Sequence, residues 1–152
     1  MVESGEWLTR GTVWLALTLY VGSQMAARAP HSATARWLNA LGCVAFVAHV
    51  ACAFAFYHHW SHSAAYADTA QQTAKLTGWN SGFGLYVNYF FAAVWLLTLI
   101  KPIQHWAVRG FFWFMIFNGA VVFVQSPLRW FGLLLCVILI ACWWPNRRRV
   151  PK

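Results

Sequence analysis

Carboxylates are almost missing from this chain. Its 152 residues hold three, Glu3, Glu6 and Asp68. That scarcity rules against chemistry built on paired carboxylates, because too few exist to place as acid and base. Charge of either sign is scarce as well, at 9% of residues, where an ordinary globular domain has about one-quarter. A surface so poor in charge cannot face water all round, so lipid must cover much of it. Gly-x-Ser-x-Gly, His-Glu-x-x-His and the phosphate-binding glycine loop are also missing, and with them the usual signatures of acyl transfer, zinc hydrolysis and nucleotide binding. The four cysteines, Cys43, Cys52, Cys136 and Cys142, lie in apolar runs without C-x-x-C spacing. There a thiol acts as a small apolar group, not as part of a disulfide framework or zinc ribbon.

What is present is apolar, 61% of the chain. A helix crossing the hydrocarbon needs about 20 mostly apolar residues, with a range of about 17–25. Five runs qualify: 11–27, 36–57, 82–100, 107–125 and 128–144. The last two are separated by "SPLR", where Pro127 removes a backbone donor and disfavours helix at Ser126. A helical hairpin therefore replaces one overlong helix. No internal repeat or separable second domain is visible, and residues 1–152 read as a single integral membrane domain.

Lysine and arginine gather on the cytoplasmic side of membrane proteins. With the N-terminus outside, the inner segments carry Arg28, Arg36, Lys101, Arg109, Arg147, Arg148, Arg149 and Lys152. The outer segments carry Arg10, Lys75 and Arg129 together with all three acids. Tryptophan, which favours the headgroup interface, marks the same boundaries: Trp7, Trp60, Trp79 and Trp130 outside, Trp37, Trp106, Trp143 and Trp144 inside. The formal charge of +8 thus reads as topology; the basic residues are not grouped with stacking aromatics, which argues against nucleic acid. A cleaved signal peptide is disfavoured because "MVESGEWLTR" carries two Glu and one Arg where a positive n-region belongs. The expected fold is an all-α polytopic integral membrane bundle with five transmembrane helices, N-out/C-in. Its expected location is a bacterial-type cytoplasmic membrane. The bilayer is its first partner; other membrane proteins or a second copy of the chain are further candidates.

Residues 61–81, "SHSAAYADTAQQTAKLTGWNS", are rich in Ala, Gln and Thr and free of Pro and Gly until Gly78. This composition predicts a short extramembrane helix between the second and third spans, packed over the outer mouth of the bundle. Gly78, Gly82 and Gly84 let the chain turn back, and Asn80 or Ser81 is a candidate cap for the third span.

Two groups of residues are candidate sites. "FYHHWSH" places His58, His59 and His62 at the outer end of the second span. Steps of four and three along that span give Leu41, Ala45, Ala48, Cys52, Ala55, His59 and His62, a stripe small through the membrane and histidine-bearing above it. The stripe predicts that His59 and His62 point over the bundle interior. His58 and His62 also stand one turn apart, a spacing that brings two imidazoles to one metal. Copper, zinc or a surface haem are the candidate cofactors, with Tyr66 and Asp68 as further candidate ligands. The competing reading is the wet end of a helix, where neutral imidazole is tolerated. Deeper, His49, Asn88 and Asn118 fall at similar depth on three helices, with Tyr89 nearby, and form a candidate intramembrane polar layer. Its competing reading is hydrogen bonding between helices. The leading functional expectation is a small non-catalytic or auxiliary redox membrane protein. The alternatives are a structural subunit of a larger membrane complex, or a small-solute channel or carrier constricted at the Asn/His layer.

Overall fold

The computed structural model describes residues 2–29, 32–101 and 105–144. Among these it is all-helical: α1 (Val2–Ala26), α2 (Ala33–Phe56), α3 (His62–Thr77), α4 (Phe83–Ile100), α5 (Trp106–Phe117), a π-helical continuation (Asn118–Val122) and α6 (Leu128–Trp143). His31, Arg147, Arg148, Arg149 and Lys152 lie outside the described residues.

Local signals set the ends. The Ser32 hydroxyl accepts from the Ala35 N–H at 3.1 Å and caps α2. Ser61 does the same for α3 by accepting from Ala64 N–H at 3.2 Å. Gly78 closes α3 in the left-handed region, at φ 78°, where a residue without Cβ fits. Ser81 accepts from Phe83 N–H at 3.3 Å, just ahead of α4. At Asn118 the helix widens, and Phe123 N–H reaches back five residues to the Asn118 carbonyl at 3.1 Å. The Asn118-Gly119 pair at this point is poor α-helix former material.

Packing follows from small residues and rings. α1 and α2 lie antiparallel over their whole length, with Gly5 against Phe56, Gly42 against the Ala16 carbonyl, and Gly22 beside Leu38. Small residues let two backbones approach closely, which is how apolar helices gain van der Waals contact with one another. The buried stripe of α2 is Gly42, Cys43, Ala45 and Phe46. Around it stand five rings from four helices. Tyr20 stacks on Phe112 at 4.7 Å, Phe46 meets Phe91 edge-on at 5.0 Å, and Trp95 meets Tyr20 at 5.3 Å and Phe112 at 5.4 Å. Each such pair adds about 0.5–1.5 kcal/mol beyond the area it buries. α6 runs parallel to α1, with Trp14 against Phe131 at 5.4 Å, and Gly132 sits directly on the Ala120 carbonyl of the π segment.

Two helices, α2 and α4, are long and apolar enough to cross a membrane; α5 with its π continuation and α6 are apolar but shorter. Only 22% and 17% of the apolar windows of α2 and α4 are buried, so neither resembles the enclosed core helix of a water-soluble domain.

The second helix departs from its expected course. It ends at Phe56, and the Trp60 N–H folds back to the Phe54 carbonyl at 2.9 Å. His59 and Trp60 take left-handed conformations, φ 46° and 59°, which break the helical period. The stripe from Leu41 to His62 is therefore interrupted, and His59 and His62 are exposed, not turned over the interior. Leu41 is exposed too, because the buried stripe is rotated toward Gly42 and Phe46.

The Gly132 contact yields a test. A Cβ at Gly132 would fall on the Ala120 backbone, whereas one at Gly110 meets nothing within 4 Å. Gly132→Ala is expected to destabilise by about 1–3 kcal/mol through overpacking. Gly110→Ala is expected to stabilise, by up to about 1 kcal/mol. Thermal unfolding of the two variants in the same detergent checks the opposite signs.

Candidate functional site

His58, His59 and His62 occupy the α2–α3 turn without converging. His58 is half-buried with its ring 5.7 Å from Phe54. His59 is exposed. His62 opens α3 with its ring 5.8 Å from Tyr86 and 5.9 Å from Tyr89. Tyr66 lies 6.1 Å from Tyr86, and the Asp68 carboxylate accepts from the Gln72 amide at 2.9 Å. Among the described residues no group of three or more His, Cys, Asp or Glu side chains is placed to hold a metal ion.

His49, Asn88 and Asn118 likewise do not bond to one another. His49 Nδ1 lies 2.8 Å from the Thr9 carbonyl of α1. A carbonyl only accepts, so Nδ1 carries the proton. Asn118 Nδ2 donates to the Phe114 carbonyl of its own helix at 2.9 Å. Asn88 is exposed and makes no side-chain hydrogen bond among the described residues. Equal depth along three helices does not fix which way each side chain turns.

The structure assembles a different site at the opposite end of the bundle. Here the C-terminal turns of α1, α4 and α6 meet the N-terminal turns of α2 and α5 around a cavity of about 270 Å³. Three arginines line it, Arg28 after α1, Arg36 on α2 and Arg109 on α5. No Asp, Glu or His does so among the described residues. Tyr20 and Phe112, two rings of the aromatic cluster, also line the cavity.

Two indole groups fix the polar lining. Trp95 Nε1–H donates to Asn39 Oδ1 at 3.0 Å, and Trp143 Nε1–H donates to Gln24 Oε1 at 3.0 Å. Indole only donates, so in each case the amide oxygen must face the ring and the NH₂ must face away from it. Gln24 Nε2 then donates to Ser23 Oγ at 3.3 Å, and the Ser23 hydroxyl donates to the Tyr20 carbonyl at 2.6 Å. Asn39 Nδ2 has no acceptor among the described residues. Arg28 reaches from the α1 end to the Ala141 carbonyl of α6 at 2.6 Å and ties those helices together. The result is a concavity that bears three guanidinium groups and, among the described residues, no carboxylate. Guanidinium groups in such a lining can offer charge-assisted hydrogen bonds to an acceptor of negative charge.

A second depression of about 310 Å³ lies between α2 and α4. It shares Arg36, Asn39 and Thr98 with the first and adds Trp37, Ala40 and Leu99. In the sequence these arginines read only as expected markers of orientation. The further signal is the set of polar residues, Ser23, Gln24, Asn39 and Thr98, that interrupt three apolar runs near the same end.

No family model, characterised protein or solved structure matches this chain.

Trp95 is 1% exposed, so its N–H depends on Asn39. Asn39→Leu is expected to cost about 1–3 kcal/mol by stranding that buried donor. Trp95→Phe with Asn39→Leu should cost less than the two single changes added together, since either alone already breaks the bond. Unfolding free energies around this double-mutant cycle check the coupling; strict additivity would show that the bond contributes nothing.

Proposed function

We propose that this chain is a five-span membrane protein, N-out/C-in, that performs no catalysis and binds a small anion at its cytoplasmic end. The observation that carries this reading is the cavity lined by Arg28, Arg36 and Arg109, with no carboxylate among the described residues that line it. Guanidinium groups present rigid forks of donors that match the oxygens of phosphate and carboxylate. Basic pockets between membrane helices on the cytoplasmic side are a known setting for phosphorylated ligands. The three acids of the chain support the polarity, since Glu3 and Glu6 lie at the start of α1 and Asp68 in α3, away from the cavity.

The membrane arrangement has its own support. The described helices alternate in direction, apart from α3, so the segments that would lie inside all fall at the arginine-bearing end. Exposed Trp7, Trp60, Trp79 and Trp130 gather toward one end of this pattern and exposed Trp37, Trp106 and Trp144 toward the other. The 16 residues of α6 extend about 24 Å at a rise of about 1.5 Å per residue. That is short of the roughly 30 Å hydrocarbon core, a mismatch that local thinning of the bilayer accommodates. Among the described residues no His, Asp or Glu lines the cavity to serve as general acid or base, which supports a non-catalytic role. This reading is preferred to a metal or haem at His58, His59 and His62, which lack an assembled ligand set, and to a channel at His49, Asn88 and Asn118, whose side chains are not joined.

Two measurements test it. A reporter fused after Lys152 is expected to register on the cytoplasmic face. Inorganic phosphate is expected to raise the unfolding temperature of the purified protein saturably, beyond chloride at matched ionic strength. At a hundredfold excess over Kd the stabilisation should approach about 2.7 kcal/mol. It should shrink in Arg36→Gln and persist in Arg10→Gln, whose residue pairs with Glu6 on α1. A C-terminus facing outward, or no phosphate-specific shift, would overturn the reading.

A further inference from the structure

We infer that the anion is the phosphate of a membrane phospholipid carrying net negative charge, its headgroup in the arginine cavity and one acyl chain in the α2–α4 groove. The inference rests on the anion-binding reading and names its ligand. What points to a lipid is the pairing of two unlike depressions through the same residues. Arg36, Asn39 and Thr98 line both. On one side of them are Arg28, Arg109 and the Gln24–Ser23 amide network. On the other are Trp37, Ala40 and Leu99, and this side opens on the apolar flank of the bundle. Trp37 is 71% exposed and Ile100, next to Leu99, is 83% exposed. A free phosphate would occupy only the polar half. A ligand with a phosphate joined to a hydrocarbon tail fills both, and burial of its methylene groups adds to the charge-assisted contacts.

Size and charge narrow the class. A cavity of about 270 Å³ lies just under the roughly 300–1,000 Å³ usual for drug-sized ligands, which suits a compact headgroup. Zwitterionic headgroups carry a cationic ammonium, which is stabilised beside a carboxylate and repelled by other cations. Here no carboxylate lines the cavity among the described residues. An ammonium would also lie among arginines. Phosphatidylglycerol and lipids of the same charge avoid that repulsion. Asn39 supplies the selective contact, because Trp95 holds its oxygen and leaves its NH₂ to donate.

Native mass spectrometry of the full chain, delipidated in a neutral detergent, tests this with three probes: phosphatidylglycerol, phosphatidylcholine with the same acyl chains, and inorganic phosphate. Phosphatidylglycerol is expected to bind at least about tenfold more tightly than phosphatidylcholine, the size of one charge-assisted contact. Arg36→Gln should erase most of that preference, while Arg10→Gln keeps it. Ala40→Phe, which fills the groove without touching the arginines, should weaken phosphatidylglycerol about tenfold and leave inorganic phosphate unchanged. Circular dichroism and unfolding temperature confirm that each variant is folded. If Ala40→Phe proves unfolded, Leu99→Trp, on the facing helix, fills the same groove. If phosphate binds but the two lipids do not differ, or if filling the groove leaves lipid binding intact, the lipid assignment falls and the anion site stands. If neither phosphate nor lipid binds, both fall together.

Discussion

An indole N–H shut inside a bundle of apolar helices costs free energy when it lacks an acceptor; Trp95 has one in Asn39, whereas Trp113 Nε1 has none among the described residues. Several features follow from the pairing. It joins α4 to α2 at the end where the arginines gather, and it settles which way the Asn39 amide faces. Trp143 and Gln24 repeat the arrangement between α6 and α1. Two large donors, with no choice of partner, turn two adaptable amides into fixed ones. Burial makes each bond costly to lose, so the polar lining of the cavity is held by the same contacts that hold the helices.

The aromatic cluster continues that coupling. Tyr20 and Phe112 belong both to the core and to the cavity wall, and Trp95 touches each of them. The floor of the basic pocket is therefore the upper surface of the core. On the other side of the core, Gly42 brings α2 onto the Ala16 carbonyl and leaves Trp95 only just enough space. Small residues and large rings play complementary parts here: the first set how near the backbones come, the second fill what remains.

The helical character of the chain was legible in its apolar runs, and the segment at 61–81 in its composition. Gly78 ends α3 for the reason that its missing Cβ suggests. The direction in which polar groups turn was not legible. His49, Asn88 and Asn118 share a depth, yet one faces α1, one faces outward and one bonds its own backbone. A one-dimensional rise gives height and says little about azimuth once helices tilt and one of them widens into a π turn. The histidine stripe failed for a related reason. Helical periodicity carries the stripe through His59, but α2 ends at Phe56 and the chain turns through the left-handed pair His59–Trp60. The basic cavity was not legible in the sequence, where Arg28, Arg36 and Arg109 are three cations on separate segments. That they share one concavity with Gln24 and Asn39 depends on helix ends far apart in sequence.

The placement of charge has a consequence for the molecule as a whole. Toward the α3 end, Arg10, Lys75 and Arg129 are balanced by Glu3, Glu6 and Asp68, while the other end holds Arg28, Arg36, Lys101 and Arg109 with no acid among the described residues. A rod charged in this way has a permanent electric moment along its axis. A field across it does work of about 2.3 kcal/mol per elementary charge for each 100 mV traversed. In a membrane, a voltage negative on the arginine side would therefore favour the orientation that keeps that end on the negative side.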